Sequence, residues 1–154
     1  MNVSLVVKKL LDNHITISFA ESCTGGLLAS TLTLNPGVSS ILSESYVTYS
    51  NESKVRILGV KEETINQYGV VSSEVACEMA LGLKNKTHAD LAVSTTGNAG
   101  PSKGDEKEPV GRVFVGISFK DSINTYQLDI NASREEVIKQ VVEFVYSKID
   151  ELIQ

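Results

Sequence analysis

The sequence predicts an α/β domain: a three-layer α/β/α sandwich around a mixed sheet of about five strands. Two observations predict it. β-prone apolar runs interleave with amphipathic helical segments along much of the chain, the pattern of a sheet covered on both faces. The last two strand-like runs then follow each other across a short turn. The sheet therefore ends in a hairpin and is mixed, not fully parallel.

Taken in order, Val3, Val6, Val7, Leu10 and Leu11 recur at helical spacing, with Lys8, Lys9 and Asp12 between them. This is an amphipathic helix ending near Asn13-His14. Ile15, Ile17 and Phe19 alternate as a first strand. That strand runs into a small polar loop, Glu21-Ser22-Cys23-Thr24-Gly25-Gly26, and a helical stretch follows from Leu27 to Leu34. Strand, glycine-containing loop and helix is how α/β proteins build an anion or nucleotide site at the carboxyl edge of the sheet. The turn Asn35-Pro36-Gly37 precedes Ser39 and Ser40, and Val47-Thr48-Tyr49 is a short β-prone run. Asn51 caps a helix from Glu52 to Leu58, stopped by Gly59, with Lys54 in its first turn. A further helix spans about Glu62 to Tyr68 and ends at Gly69. Ser72 or Ser73 caps a longer one, with Val75, Ala76, Met79, Ala80 and Leu83 on its buried face.

Ala89 to Thr95 is an apolar strand. It leads into a second polar glycine loop, Thr96-Gly97-Asn98-Ala99-Gly100-Pro101, and a polar run through Glu108. Val113, Val115, Ile117 and Phe119 alternate, Asp121-Ser122 is a turn, and Thr125 to Ile130 returns as a partner strand. Ser133 caps a last helix whose apolar face is Val137, Val141, Phe144, Val145, Ile149 and Leu152.

The 154 residues are expected to form one domain, 1–154. A hydrophobic content of 42% supplies a real core. No apolar run approaches the ~20 residues of a membrane helix, and MNVSLVVKKLLDN lacks a signal-peptide pattern. The net charge of -5 argues against a nucleic-acid footprint. The expected partner is a small molecule, with neither membrane nor nucleic acid. Cys23 and Cys77 show no CxxC pattern and read as free thiols in a reducing cytoplasm. His14 and His88 sit at element boundaries away from the loops, so neither a histidine triad nor a zinc site is expected. P-loop and dinucleotide fingerprints are absent, as is S-x-x-K.

Ser39 and Ser40, Tyr46, Tyr49 and Lys54 supply the parts of a serine nucleophile with a lysine base and a tyrosine beside it. A lone loop serine more often caps a helix, so the pattern by itself does not establish catalysis. AESCTGG, YVTYSNESK, LGV, GVVS and TGNAGP, in this order and spacing, resemble the CinA C-terminal domain family. Its enzymatic members are nicotinamide-nucleotide amidohydrolases (PncC). The resemblance covers nearly the whole chain. It implies the same three-layer fold, in the stand-alone form and often as a homo-oligomer, dimer or higher. It implies hydrolysis of the carboxamide of nicotinamide mononucleotide to nicotinate mononucleotide and ammonia.

By that resemblance the catalytic residues are Ser39, Lys54 and Tyr49, with Ser40 or Ser22 as alternative nucleophiles. No metal or cofactor is required. The resemblance also implies a substrate site made by Glu21, Ser22, Thr24, Gly25 and Gly26, whose amides suit a phosphate or ribose. Ser40 and Tyr46 stand beside it, Thr96, Gly97, Ala99 and Gly100 line the same crevice, and Arg134 reads the phosphate. The chain departs from the family pattern at Val38, Ser43-Glu44-Ser45, Asn98 and Lys103 to Glu108. Two other readings stand beside the enzyme. One is a nucleotide-binding module with weak or lost chemistry; the other is an interaction protein connected with DNA uptake or repair.

Overall fold

The computed structural model describes residues 2–154. Along the chain come α1 (Val3–Asp12), β1 (Ile17–Glu21), α2 (Leu27–Thr33), a 3-10 turn (Val38–Ser40), β2 (Tyr46–Val47) and α3 (Asn51–Leu58). Then follow α4 (Glu62–Tyr68), α5 (Ser73–Thr87), β3 (Leu91–Gly97), β4 (Arg112–Phe119), β5 (Ser122–Asp129) and α6 (Arg134–Leu152). The five strands form one sheet in the order β2-β1-β3-β4-β5. β1 lies parallel to both β2 and β3, while β3–β4 and β4–β5 are antiparallel. The sheet is therefore mixed, as the terminal hairpin predicts.

Side-chain alternation sends each strand's residues to two different cores. Ile17, Phe19, Leu91 and Val93 face α1, α2 and α6, in a cluster with Val7, Leu28 and Val141. Ala20 and Ala92 face the other way, against Val75, Met79 and Leu83 of α5 and Leu58 of α3. These are the two helical layers of the sandwich. α5 packs closely on α3, because a Cβ at Gly82 would overlap the Leu58 carbonyl oxygen. That approach holds α3, the helix carrying Lys54, against the sheet.

The differences from the sequence reading lie at the ends of elements. β2 is only Tyr46–Val47, so Thr48 and Tyr49 fall in the loop beyond it. Ser50, not Asn51, caps α3, its side chain accepting from the Ser53 amide. β3 begins at Leu91 and extends through Gly97. The hairpin turns at Lys120-Asp121, one residue earlier than expected. α6 buries Val142 and Tyr146, and Tyr146 donates to the Leu28 carbonyl at 2.7 Å, tying α6 to α2. Helical periodicity marks one stripe; a tyrosine beside it is buried when its hydroxyl finds a carbonyl.

Candidate functional site

Parallel pairing of β1 with β3 brings both polar glycine loops to one edge of the sheet, because each loop leaves the carboxyl end of its strand. Between them lies a cavity of about 340 Å³. Ser22 and Cys23 enter it from the first loop, Thr96 to Ala99 from the second. Tyr49, Asn51 and Lys54 come from the α3 side, and Arg134 from the start of α6.

Lys54 is the central feature. It is 1% exposed. Its ammonium donates to Ser22 Oγ at 2.9 Å, to the Thr48 carbonyl at 2.7 Å and to the Tyr49 carbonyl at 3.3 Å. Burial lowers its pKa from 10.5 to about 8. At about 1.4 kcal/mol for each pH unit, that lowering costs about 3 kcal/mol. A single buried aliphatic side chain returns roughly 1.5–3 kcal/mol, so the surrounding core offsets it. The two carbonyls hold the lysine in place and leave its third direction for Ser22.

The Ser22 loop is held from below. Glu21, 1% exposed, accepts from Thr24 Oγ1 at 2.6 Å, the Leu28 amide at 2.8 Å and the Ala29 amide at 3.1 Å. The Ser22 amide donates to Thr95 Oγ1 at 3.3 Å, which lies 3.0 Å from Thr24 Oγ1. Cys23 stands next to the serine, but burial pushes its thiol up to about 12, so it stays protonated and inert. Arg134 donates to the Gly100 carbonyl at 2.8 Å and to the Tyr49 hydroxyl at 2.9 Å. It thus joins the second loop to the tyrosine.

Three expectations are corrected. Ser39 is exposed on the 3-10 turn and lines a different depression, with Thr16, Ser18 and Glu44 near the amino end of β1. The reason is topological. β1 delivers the chain to the carboxyl edge and α2 carries it back, so the turn directly after α2 lies at the opposite edge, before β2 returns the chain. Ser40 lies there too, bonded to the Gly37 carbonyl. The serine that meets Lys54 is Ser22, directly after β1.

Second, the α2 amides are not free for a phosphate: Glu21 already occupies those of Leu28 and Ala29. Glu21, Thr24, Gly25 and Gly26 form the support of the site, not its lining. Third, Tyr46 turns away; its hydroxyl bonds the Glu44 carboxylate, and its ring lies under Lys86 Nζ at 5.7 Å. Gly100 contributes its carbonyl to Arg134, while Thr96 Oγ1 is bonded to the Val70 carbonyl. Asn51, Asn98 and Lys103 line the cavity and were not singled out as site residues. The sequence pattern makes Asn51 a helix cap, whereas Ser50 takes that place and frees the Asn51 side chain.

Fold and cavity together define an α/β protein with a buried serine–lysine pair at the carboxyl edge of a mixed sheet. The model of the CinA C-terminal domain matches residues 2–153, and the chain belongs to that family. CinA-like proteins of Petrotoga mobilis and Endomicrobium trichonymphae are each 45% identical to it, over 145 and 139 residues. These alignments cover 94% and 90% of this chain but 36% and 32% of the relatives, so the chain spans about a third of their length. Among solved structures, a CinA superfamily protein of Escherichia coli superposes with a TM-score of 0.93 at 30% identity, covering 97% of this chain and 87% of that one. The competence/damage inducible protein CihA of Agrobacterium tumefaciens gives 0.91 at 31%, covering 99% and 96%. No helix among the described residues is long and apolar enough to cross a membrane.

Proposed function

We propose that this chain is an amidohydrolase, deamidating nicotinamide mononucleotide to nicotinate mononucleotide and ammonia in the recycling of pyridine nucleotides. The observation that carries it is the buried hydrogen bond between Ser22 and Lys54. An unreactive amide needs an activated nucleophile, and a serine is activated by a base within hydrogen-bond reach. A lysine serves as that base only when neutral. With a pKa of about 8, about a tenth of the Lys54 side chains are neutral at pH 7.

The proposed reaction runs in these steps. Neutral Lys54 takes the Ser22 hydroxyl proton as Oγ attacks the carboxamide carbon. The tetrahedral intermediate collapses, the C–N bond breaks, and the amide nitrogen leaves as ammonia with a proton from the Lys54 ammonium. In this reading Tyr49, which lines the same cavity, relays that proton. Arg134 donates to the phenol oxygen, which leaves the phenol's own hydrogen free to be given. Lys54, neutral again, then deprotonates a water that attacks the Ser22 ester. Nicotinate mononucleotide departs and Ser22 regains its proton. The substrate class is supported by the family resemblance and by the cations around the cavity, Lys54, Lys103 and Arg134.

Ammonia release from nicotinamide mononucleotide tests the reading directly. Wild type should turn over in the presence of EDTA. Ser22→Ala should lose at least about a thousandfold in kcat, the scale on which a catalytic nucleophile matters. Ser39→Ala should keep the wild-type rate. Loss of activity in the Ser39 variant with retention in the Ser22 variant would overturn the assignment.

A further inference from the structure

The polar stretch after Gly100 is built around Asn98. That side chain is 1% exposed and uses both ends on the loop's backbone. Its Nδ2 donates to the Asp105 carbonyl at 2.7 Å and the Glu108 carbonyl at 3.1 Å. Its Oδ1 accepts from the Gly104 amide at 2.9 Å and the Asp105 amide at 3.1 Å. Two of the loop's three acids, Asp105 and Glu108, are engaged elsewhere. The Asp105 carboxylate accepts from the Val71 amide at 3.1 Å and the Lys107 amide at 2.9 Å. Glu108 pairs with Arg112 at 2.8 Å. Asn98 and the residues from Lys103 to Glu108, separate departures from the family pattern in sequence, are thus one structural unit.

That unit carries Lys103 to the cavity. Among the described residues Lys103 has neither a hydrogen bond nor an ion pair from its side chain. The chain as a whole has a net charge of -5, yet no aspartate or glutamate among the described residues lines this cavity. Lys54 is committed to Ser22 and two carbonyls, and Arg134 spends donors on Gly100 and Tyr49. Lys103 alone of the three cations is wholly uncommitted.

We propose that Lys103 is a specificity residue, the added cation that makes this cavity prefer a phosphomonoester dianion over its uncharged nucleoside. A phosphomonoester carries about two negative charges near neutral pH. Arg134 retains N–H groups to bind it in a fixed orientation, and Lys103 acts as a mobile point charge on the same group. The choice of pyridine mononucleotide as the ligand rests on the amidohydrolase reading; the cation assignment does not.

The experiment uses ligands that are not turned over. Dissociation constants for nicotinate mononucleotide, nicotinate riboside and inorganic pyrophosphate are measured by calorimetry for wild type, Lys103→Ala and Lys103→Glu. Lys103→Ala should weaken the mononucleotide about fivefold, the scale of one exposed charge pair, and Lys103→Glu should weaken it further. The riboside should weaken less than twofold in both, so that discrimination between the two collapses. The effect of Lys103→Ala on the mononucleotide should shrink as salt rises. Equal weakening of mononucleotide and riboside, or no change in either, overturns the proposal. If wild type binds pyrophosphate but neither pyridine ligand, the amidohydrolase reading fails; a pyrophosphate affinity reduced in Lys103→Ala then still supports the cation assignment. Failure of wild type to bind any of the three overturns it.

Discussion

Lys54 Nζ lies 2.9 Å from Ser22 Oγ, a bond that joins residues 32 apart in sequence at the cavity between the two glycine loops. The same nitrogen is 2.7 Å from the Thr48 carbonyl, so the lysine cannot swing away without breaking a buried hydrogen bond. Its position comes from the α3 helix and its proton affinity from burial. In the amidohydrolase reading the two together make it the base.

The pH dependence follows. The rate requires neutral Lys54, so it should rise with pH through a single ionisation near the lysine's pKa of about 8. Lys54→Arg should be nearly as damaging as Lys54→Ala, because a guanidinium stays protonated and cannot accept the serine proton. Initial rates of ammonia release across pH 6 to 10, about two units either side of that ionisation, check both. A flat profile, or substantial activity in the arginine variant, would remove Lys54 from the role of base.

The same burial has a consequence for stability. Lys54 has a folded pKa of about 8, below the 10.5 of an unhindered lysine. Between these values the unfolded chain holds a proton that the folded chain lacks, so stability rises with pH across that window. Below about 8 the full cost of about 3 kcal/mol is present. Lys54→Met removes it while leaving the Thr48 carbonyl without its donor, a loss of about 1–2 kcal/mol, whereas Ser22 and Tyr49, which also lose a bond, face the cavity and its water. The variant should therefore be more stable than wild type at pH 7, by about 1–2 kcal/mol, and lose that advantage by about pH 10. Urea denaturation at the two pH values measures it. A stability difference independent of pH would show that the lysine is not held against its own protonation.

The fold was legible because periodicity is written into local stretches. Val113, Val115, Ile117 and Phe119 alternate whatever else surrounds them, and all of them lie in β4. The family's motif pointed to Lys54 and Tyr49, and both line the cavity. Ser39 was misplaced because the family resemblance aligned the catalytic serine with the pair after the proline-glycine turn, and alignment in one dimension carries no direction. Which edge of the sheet it occupies depends on the direction of the preceding helix. Position directly after a strand was the signal that favoured Ser22. Glu21 misled in the opposite sense. A carboxylate in a polar loop reads as a ligand contact until the amides of Leu28 and Ala29 are seen to converge on it. Lys103 was hidden because its role depends on what the loop's own acids do, and sequence does not say that Asp105 turns inward.

Glu21 supports a last prediction that separates a structural carboxylate from a substrate contact. It is buried without a cation and is stabilised by two amides at the start of α2 and by the Thr24 hydroxyl. Glu21→Ala deletes all three acceptor contacts and strands the buried donors, which should cost about 2–4 kcal/mol of stability. Glu21→Gln keeps one oxygen but turns an N–H toward a donor, so it should cost less than alanine and more than nothing. Because Ser22 is the next residue, loosening this support should lower kcat by displacing Oγ from Lys54. KM should move less, since Glu21 does not line the cavity. Denaturant midpoints and steady-state kinetics on both variants give the two readouts. A raised KM with an unchanged midpoint would return Glu21 to the list of residues that touch substrate. A lowered midpoint with kcat reduced ahead of KM would fix it as the strut that holds the nucleophile in line.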